Sequence, residues 1–240
     1  MSKYYEKIII ENKDYEENYW GVITDPDGNV RNLCDEREKF LTNVKKEVDF
    51  INSLPPSKIL DVGCGLGFLL SGIDDKHQKF GLEISKYAGE HAKKYANIYD
   101  KPLEELNIAE NSFDVVISHH VIEHVDNPEK FLIEISKILS PDGFLILSTP
   151  DFNCVCAKLF KENYRMLHDK THVNLFSFES LKKMLSDFGF DIVEVDFPYF
   201  DTEYFNPKNI LKMLDFMRAE ISPACWGNFM TFYCKKQKKK

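Results

Sequence analysis

The chain has 240 residues, of which 43% are hydrophobic and 29% are charged, and its formal net charge at pH 7 is −8. This length favours one large domain, or a domain with an appendage, around a sizeable core. The acidic balance argues against a nucleic-acid partner, because such a surface needs clustered Lys and Arg. The sequence shows neither a signal peptide nor the apolar run of a membrane span, so it predicts a cytoplasmic protein without a membrane segment.

The first part of the chain reads as a cap on the fold that follows. Residues 1 to about 36 are rich in tyrosine and acidic residues, with a turn signal at Asp25-Pro26-Asp27-Gly28. Apolar residues recur at helical spacing from Glu36 to Leu54, and Pro55-Pro56 ends that predicted helix. We therefore assign residues 1–54 to an N-terminal cap and helix.

A strand, a glycine-rich turn and a second strand follow between Lys58 and Glu83. The predicted strand Lys58–Val62 runs into alternating glycines at positions 63, 65 and 67. Glycines let the backbone approach a ligand closely, and the N-terminus of the following helix offers N–H donors. Glu83 stands where a carboxylate accepts hydrogen bonds from the hydroxyls of a ribose. The stretch therefore predicts a site for an adenosine-containing ligand.

Strands and helices go on alternating as far as Thr149. Predicted helices cover Ser85–Ala96 and a segment capped by Asp126 or Asn127, with Pro128 in its first turn. The further predicted strands are Asn97–Tyr99, Phe113–Ser118 and Phe144–Ser148, the last after a turn at Pro141-Asp142-Gly143. This alternation predicts an α/β fold with a right-handed, doubly wound, mostly parallel sheet. Residues 57–150 form its ligand-binding half.

The alternation stops at residues 151–176, an aromatic segment of mixed charge that we interpret as an insertion beside the sheet. Regular structure returns in residues 177–234. A helix capped by Ser177 and closed by Gly189 precedes two predicted strands, Asp191–Phe197 and Asn228–Cys234, with a helix over Ile210–Phe216 between them. The 240 residues are thus expected to form a single domain.

The spacing of the glycines distinguishes two classes of nucleotide site. A dinucleotide fingerprint would need its third glycine at the position of Phe68. The pattern Asp61-x-Gly63-x-Gly65-x-Gly67 instead resembles the first motif of the class I S-adenosylmethionine-dependent methyltransferases. NSFDVVISHHVIEHV (111–125) and LSPDGFLILSTP (139–150) share that resemblance, which covers about residues 57–234. It implies a Rossmann-like, seven-stranded sheet with an antiparallel last strand, and S-adenosyl-L-methionine as cofactor.

The resemblance also implies which positions bind the cofactor. Similar proteins contact it with residues that match Asp61, Gly63, Gly65, Glu83, Ile84 and Ser118 or His119. Cys64 is a small residue that fits within the glycine loop. Many relatives carry an acid near the third strand for the adenine amine, but Pro102 or Leu103 stands there in this chain. The backbone of Leu103 and Glu104 is expected to take over that contact.

Histidines are the second signal. Five of the seven follow the fourth strand or lie in the insertion, namely His119, His120, His124, His168 and His172. A hydroxyl acceptor must lose its proton as it attacks, and an imidazole suits that task. We predict the catalytic base among His119, His120, His172 and His168, with His120 and His172 favoured. His124 fits the Glu-His pattern of the family, which implies a structural role.

A metal centre is a further interpretation of the histidines. The pairs His120/His124 and His168/His172 are each four residues apart, which on a helix would present two imidazoles on one face. Spacing fixes no acid or thiolate as a third ligand, and the six cysteines lack the paired spacing of a zinc site. We therefore predict no metal and reduced cysteines.

The sequence thus predicts an enzyme that moves a methyl group from S-adenosyl-L-methionine to a small acceptor. The favoured acceptor is an oxygen of a sugar or related metabolite, since the chain resembles methyltransferases found with bacterial surface-polysaccharide enzymes. Two alternatives stay open: an NAD-dependent oxidoreductase, and a non-catalytic methyltransferase-like subunit. No nucleic-acid or membrane partner is predicted, and the sequence does not fix the oligomeric state.

Overall fold

The computed structural model describes residues 4–8, 17–25, 28–214 and 221–238. The strands are β1 (Glu6–Lys7), β2 (Val22–Thr24), β3 (Val30–Asn32), β4 (Lys58–Val62), β5 (Gln78–Leu82), β6 (Asn97–Tyr99), β7 (Phe113–His119), β8 (Leu139–Pro150), β9 (Asn174–Leu175), β10 (Phe190–Asp196) and β11 (Phe229–Lys236). The helices are α1 (Glu17–Trp20), α2 (Arg37–Asn43), α3 (Lys45–Ser53), α4 (Phe68–Gly72), α5 (Lys86–Ala92), α6 (Pro128–Ile138), α7 (Val155–Phe160), α8 (Phe178–Asp187) and α9 (Pro207–Leu214).

A seven-stranded sheet in the order β10-β11-β8-β7-β4-β5-β6 forms the centre of the fold. The strands from β4 to β8 pair in parallel, whereas β11 runs antiparallel to both of its neighbours. The order runs outward from β4 in both directions, as expected for a doubly wound sheet. The predicted fold is confirmed, including the antiparallel last strand.

Apolar side chains fill both faces of this sheet. Successive residues of β4 point to opposite faces. Ile59 packs in one cluster with Ile51 of α3, whereas Leu60 packs in another with Leu132 of α6 and Leu181 of α8. Each such burial contributes about 1.5–3 kcal/mol. The continuous apolar pattern of the strands therefore reflects helices on both sides.

The helix ends follow the predicted chemistry. Asn127 accepts a hydrogen bond from the backbone N–H of Lys130, so Asn127 rather than Asp126 caps α6. Ser177 and Ser180 form a capping box at the start of α8, and Gly189 ends that segment with φ +85°. These local signals fix the helix boundaries because they satisfy backbone groups that the helix leaves unpaired.

Two predicted elements differ from the structure. The helix expected over Glu36–Leu54 is interrupted at Val44, which has φ −106° and ψ 18° and separates α2 from α3. The turn expected at Pro141-Asp142-Gly143 is an irregularity within β8, where the pairing with β7 shifts register and Asp142 takes φ +64°. At Val44 the apolar spacing continues across the local break in the backbone, whereas the Pro-Asp-Gly residues are accommodated within the strand β8.

The N-terminal segment packs on the domain at two places. β1 pairs with β9 at the end of the predicted insertion. β2 and β3 form a hairpin whose turn includes a hydrogen bond from Gly28 N–H to the Asp25 carbonyl. Within the described residues, helices fall short of the length and apolar character needed to cross a membrane. Pro26 and Asp27 of the predicted turn, and positions 215–216 of the predicted rim helix, lie outside the described residues.

Glu47 is an acidic residue on the inward face of α3. Its side chain is buried, and the Thr231 hydroxyl of β11 donates to Glu47 Oε1 over 3.2 Å. Burial raises the pKa of the Glu47 carboxyl to about 7. The folded protein therefore holds a proton on Glu47 at pH values where the unfolded chain has lost it.

This raised pKa predicts a pH-dependent stability. The contribution of Glu47 is fully present below about pH 4.5 and is lost as the pH rises through about 7. We expect the free energy of unfolding of Glu47→Gln, relative to the parent, to rise by about 3 kcal/mol across that window. Urea unfolding at several pH values measures this difference. Glu105→Gln, at an exposed position, is the control, and a pH-independent difference for Glu47→Gln would contradict the assignment.

Candidate functional site

A cleft of about 1680 Å³ opens at the carboxyl ends of the parallel strands. The glycine loop after β4, the residues after β5 and β7, the hairpin β2–β3 and part of the insertion line it. Ligands of open α/β sheets bind at this edge. The structure therefore brings the candidate histidines and the predicted cofactor positions to one cavity, except for Ser118, which is fully buried and does not line it.

The glycine loop is tightly packed. The φ values of Gly63, Gly65 and Gly67 are +74°, +52° and +78°, which residues other than glycine rarely adopt. A Cβ on Gly63 would lie 2.5 Å from Val121 Cγ2, and one on Gly65 would lie 2.5 Å from the Trp20 ring. These positions need glycine for both conformation and space.

Glu83 holds the glycine loop from the next strand. Its carboxylate is buried and accepts hydrogen bonds from Gly65 N–H at 2.9 Å and from Ser85 N–H at 2.8 Å. The same loop is tied to β5 by the N–H groups of Gly63 and Cys64, which donate to the Leu82 carbonyl. Loop and acid are thus one rigid unit at the cleft.

Two buried side-chain oxygens beside this unit have no hydrogen-bond partner among the described residues. They are Asp61 Oδ1, near the end of β4, and Ser118 Oγ on β7. Burial, together with the nearby Glu83 carboxylate, raises the pKa of Asp61. A buried polar group without a partner is costly, so the unpaired oxygen of Asp61, a residue that lines the cleft, indicates a ligand-binding region.

The remaining predicted cofactor positions also line the cleft. Ile84 exposes half of its surface, whereas the side chains of Cys64 and Leu103 are buried. Trp20 covers Gly65, and the ring of Tyr19 meets it edge-on with a centroid distance of 5.1 Å. The N-terminal segment therefore closes one side of the glycine loop.

His120 faces the cleft with a buried acid behind it. Its Nδ1 lies 3.0 Å from Glu123 Oε1, and its ring meets Phe229 edge-on at 5.0 Å. Burial alone would raise the pKa of Glu123, but the His120 hydrogen bond and the nearby His124 and His172 lower it to about 2. Glu123 is thus ionised near neutral pH.

His119 has a different environment. Its Nδ1 lies 3.9 Å from Glu47 Oε1, and its ring meets Phe40 edge-on. Burial, with the neighbouring His120, lowers the pKa of His119 to about 3. His119 is therefore a neutral and weakly basic imidazole at physiological pH.

His124 and His172 pack together, with ring centroids 4.9 Å apart. His124 Nδ1 donates to the Thr171 carbonyl, and His172 Nδ1 donates to the Met166 carbonyl. Burial lowers the pKa of His124. These bonds hold both rings in fixed orientations.

The structure brings a different set of side chains within ligand distance of one another than the two histidine pairs that suggested a metal centre. Residues 120–124 form a loop rather than a helix, so the spacing argument does not apply to them. Glu123, His124 and His172 instead offer one ligand atom each within 4.8 Å of one another. The absence of a metal stays a prediction.

His168 lies at the exposed edge of the cleft, where its Nε2 is 3.1 Å from the Glu162 carbonyl oxygen. The catalytic candidates thus lie at different depths of one cavity. His120 alone among the four makes a close hydrogen bond to a buried carboxylate within the described residues.

Sequence reasoning missed several residues at the site. Glu123 lies within the motif at residues 111–125 and Glu47 within the predicted helix at Glu36–Leu54, but neither is among the predicted site residues. An acid on the buried face of an amphipathic helix was the available signal for Glu47. Phe229 and Tyr204 reach the cleft from distant parts of the chain and carried no local signal.

Asn174 fastens the end of the insertion to the loop after β7. Its buried Nδ2 donates to the carbonyls of Ile122 at 3.2 Å and Val125 at 2.7 Å. The N–H groups of Val173 and Asn174 both donate to the Glu123 carbonyl. The loop that carries the His120–Glu123 pair therefore depends on the insertion.

Comparison with known proteins places this geometry in a family. The profile of the family described as "Methyltransferase domain" matches residues 29–195. Among curated proteins, the chain is similar to the mitochondrial ubiquinone biosynthesis O-methyltransferase of Dictyostelium discoideum, with 32% identity over 139 residues, or 50% of this chain and 43% of that protein. The enzyme of the same name from Rhizobium leguminosarum bv. trifolii is 29% identical over 177 residues, covering 66% of this chain and 68% of that protein.

A solved structure shows the same fold. A SAM-dependent methyltransferase from Archaeoglobus fulgidus superimposes with a TM-score of 0.60 and 19% identity, covering 83% of this chain and 94% of that chain. The match spans less than half the length of the first curated relatives. The family profile therefore establishes the family and the solved structure supports the fold, whereas the substrates of the curated relatives are not carried over to this chain.

The anchoring by Asn174 predicts a loss of stability on its removal. Asn174→Ala leaves two backbone carbonyls without a side-chain donor, and we expect the free energy of unfolding to fall by about 2 kcal/mol. Chemical denaturation measures the effect. Asn153→Ala, at an exposed position of the same insertion, is the control. Equal stability of the two variants would contradict the anchoring role.

Proposed function

Since the chain belongs to the methyltransferase domain family, whose members use S-adenosyl-L-methionine, we propose that it transfers the methyl group of this cofactor to a hydroxyl oxygen of a small molecule. Family membership confirms the predicted enzyme class and cofactor. Support for an oxygen acceptor comes from the relatives, which are named as O-methyltransferases. A sugar acceptor is the narrower proposal made from sequence.

The residues at the cleft fit this cofactor. The glycine loop leaves no room for side chains, and the orphaned atoms of Asp61 and Ser118 suit a polar ligand. A carboxylate can accept about four hydrogen bonds, so Glu83 can hold both the loop and ribose hydroxyls. We assign the cofactor-binding site to nine residues: Asp61, Gly63, Cys64, Gly65, Glu83, Ile84, Leu103, Ser118 and His119. When bound, the cofactor supplies an electrophilic methyl group.

The His120–Glu123 pair carries the proposal of a hydroxyl acceptor. An ionised carboxylate only accepts hydrogen bonds, so the contact at 3.0 Å requires His120 Nδ1 to carry a proton. In the tautomer that carries its proton on Nδ1, Nε2 is the acceptor for a substrate proton. Glu123 fixes this tautomer and stabilises the imidazolium that forms, as a carboxylate does in other histidine-containing sites.

The other candidate histidines suit this role less well. His119 has a low pKa and is a weak base. The Nδ1 of His172 is engaged by the Met166 carbonyl, and its Nε2 lies 3.7 Å from Asp169 Oδ2. His168 lies at the exposed edge. His120 therefore takes the proton as the acceptor oxygen attacks, while the other rings shape the cleft.

The alternatives to methyl transfer have less support. An NAD-dependent oxidoreductase would need a glycine at the position of Phe68, and the family match also argues against it. A non-catalytic subunit would have no use for an ionised acid behind a cleft-facing histidine. Cytoplasmic location and the lack of a nucleic-acid partner stay predictions, and one relative is a mitochondrial enzyme.

The assay for the proposed reaction is methyl transfer to a panel of hydroxylated and amino compounds, followed by mass spectrometry. Sugars and phenols form the hydroxyl arm. Methyl transfer to a hydroxyl supports the proposal, and transfer to nitrogen alone would rule out the oxygen assignment. A thermal-shift comparison of S-adenosylhomocysteine with NAD tests the identity of the cofactor separately. A ligand that binds only the folded protein raises its melting temperature.

Removal of the Glu83 carboxylate is expected to lower the affinity for the cofactor. Glu83→Ala removes the acceptor of ribose hydroxyls and the tie to Gly65, and charged hydrogen bonds of this kind contribute about 1–3 kcal/mol. Calorimetry with S-adenosylhomocysteine should show weakening of that size. Glu105→Ala removes the same charge from an exposed position and should bind like the parent. Unchanged affinity in Glu83→Ala would disprove the ribose assignment.

Substitution of His120 is expected to lower the turnover rate. His120→Asn should lower kcat by roughly 10²–10⁴-fold, because a general base contributes about that much. Asn tolerates the positive φ of this position, so the backbone is expected to persist. Cofactor affinity should stay near that of the parent. His168→Asn is the matched control, and equal turnover of parent and His120→Asn would place the base elsewhere.

A further inference from the structure

Arg165 is a half-buried cation in the wall of the cleft. It begins the 3-10 turn Arg165–Leu167, and its backbone N–H donates to Ser222 Oγ at 2.9 Å. Within the described residues, its guanidinium makes neither a hydrogen bond nor an ion pair. Five N–H donors thus border the cleft without an acceptor among the described residues.

The other described arginines show that this is unusual for the chain. Arg31 bonds Asp25 and Glu36, and Arg37 bonds Ser71 and Glu38. The chain has 39 acidic residues against 31 basic ones, so acidic partners are plentiful. A partly desolvated cation is costly unless an anion compensates it. The position of Arg165 is therefore suited to an anion that comes from a ligand.

Arg165 shares the cleft with the reacting residues. Arg165 and Tyr204 both line the cleft. Burial raises the pKa of Tyr204, and the positive charges of Arg165 and Arg31 oppose this. The Tyr204 ring packs against Phe229 at 5.4 Å, and Phe229 packs against His120 at 5.0 Å. An aromatic wall thus runs from the side of Arg165 to the proposed base.

We propose that Arg165 binds an oxyanion, a carboxylate or a phosphate group, of the molecule that occupies the acceptor side of the cleft. The planar guanidinium matches the two oxygens of such a group and binds them in a bidentate manner. The methyl acceptor is then a small anionic molecule. That consequence rests on the proposed function, whereas binding of the anion does not.

Binding of two anionic probes tests this site. Benzoate and phenyl phosphate represent the two oxyanions, and benzyl alcohol is the neutral analogue. Calorimetry on the full chain saturated with S-adenosylhomocysteine should show saturable binding of at least one anion. The arm with the higher affinity identifies the oxyanion. Lack of saturable binding of either anion by the parent would overturn the proposal.

Variants of the cation then separate a specific site from general surface charge. Arg165→Gln should weaken anion binding roughly ten- to hundredfold and leave the benzyl alcohol result unchanged. Arg165→Lys should retain part of the affinity, because it keeps the charge but loses the bidentate geometry. Lys158→Gln, exposed and outside the cleft, is the control. Unchanged anion affinity in Arg165→Gln, or an equal loss in Lys158→Gln, would overturn the assignment.

These outcomes are distinguishable from failure of the proposed function. Anion binding that depends on Arg165, without methyl transfer to any hydroxyl, would refute the proposed function and leave the anion site in place. Methyl transfer to neutral acceptors, with a KM unaffected by Arg165→Gln, would refute the anion site alone. Circular dichroism of each variant verifies that the fold is retained.

Discussion

The buried carboxylate of Glu123 is the contact on which the acceptor side of the site depends. Its oxygens accept from His120 and from the Thr149 hydroxyl of β8, and its backbone carbonyl accepts from two N–H groups at the end of the insertion. A buried charge is stable only when it is paired and hydrogen-bonded. The same residue therefore orients the proposed base and joins strand, loop and insertion.

Glu83 has the corresponding role on the proposed cofactor side, and its backbone hydrogen bonds link residues that are close in sequence. It joins a loop and a strand that lie within twenty-five residues of each other, and it accepts from the backbone N–H groups of Gly65 and Ser85. A short sequence motif is enough to predict such a unit, since it needs only glycines that adopt positive φ and a single acidic residue. The acceptor side needs residues from β7, β8, the insertion and the segment before β11, so its chemistry is set by tertiary packing.

This difference explains what the sequence could predict. Alternating strands and helices, caps such as Ser177 and the glycine motif were sufficient to predict the sheet and to place the glycine loop beside Glu83. The break at Val44 was missed because apolar spacing continues through it. The links from Glu47 to Thr231 and from His120 to Phe229 were beyond reach, because pairs separated by more than one hundred residues leave no local pattern.

Two buried carboxylates in the same region show how partners decide ionisation. Burial raises the pKa of Glu47 to about 7, since one hydroxyl donor compensates little of the lost hydration. Glu123 is equally buried, yet its hydrogen bonds and neighbouring imidazoles lower its pKa to about 2. Environments that separate the pKa values of like groups assign them different roles. In the proposed reaction Glu123 can therefore stabilise a protonated His120, whereas Glu47, behind the weakly basic His119, is only partly ionised near neutral pH.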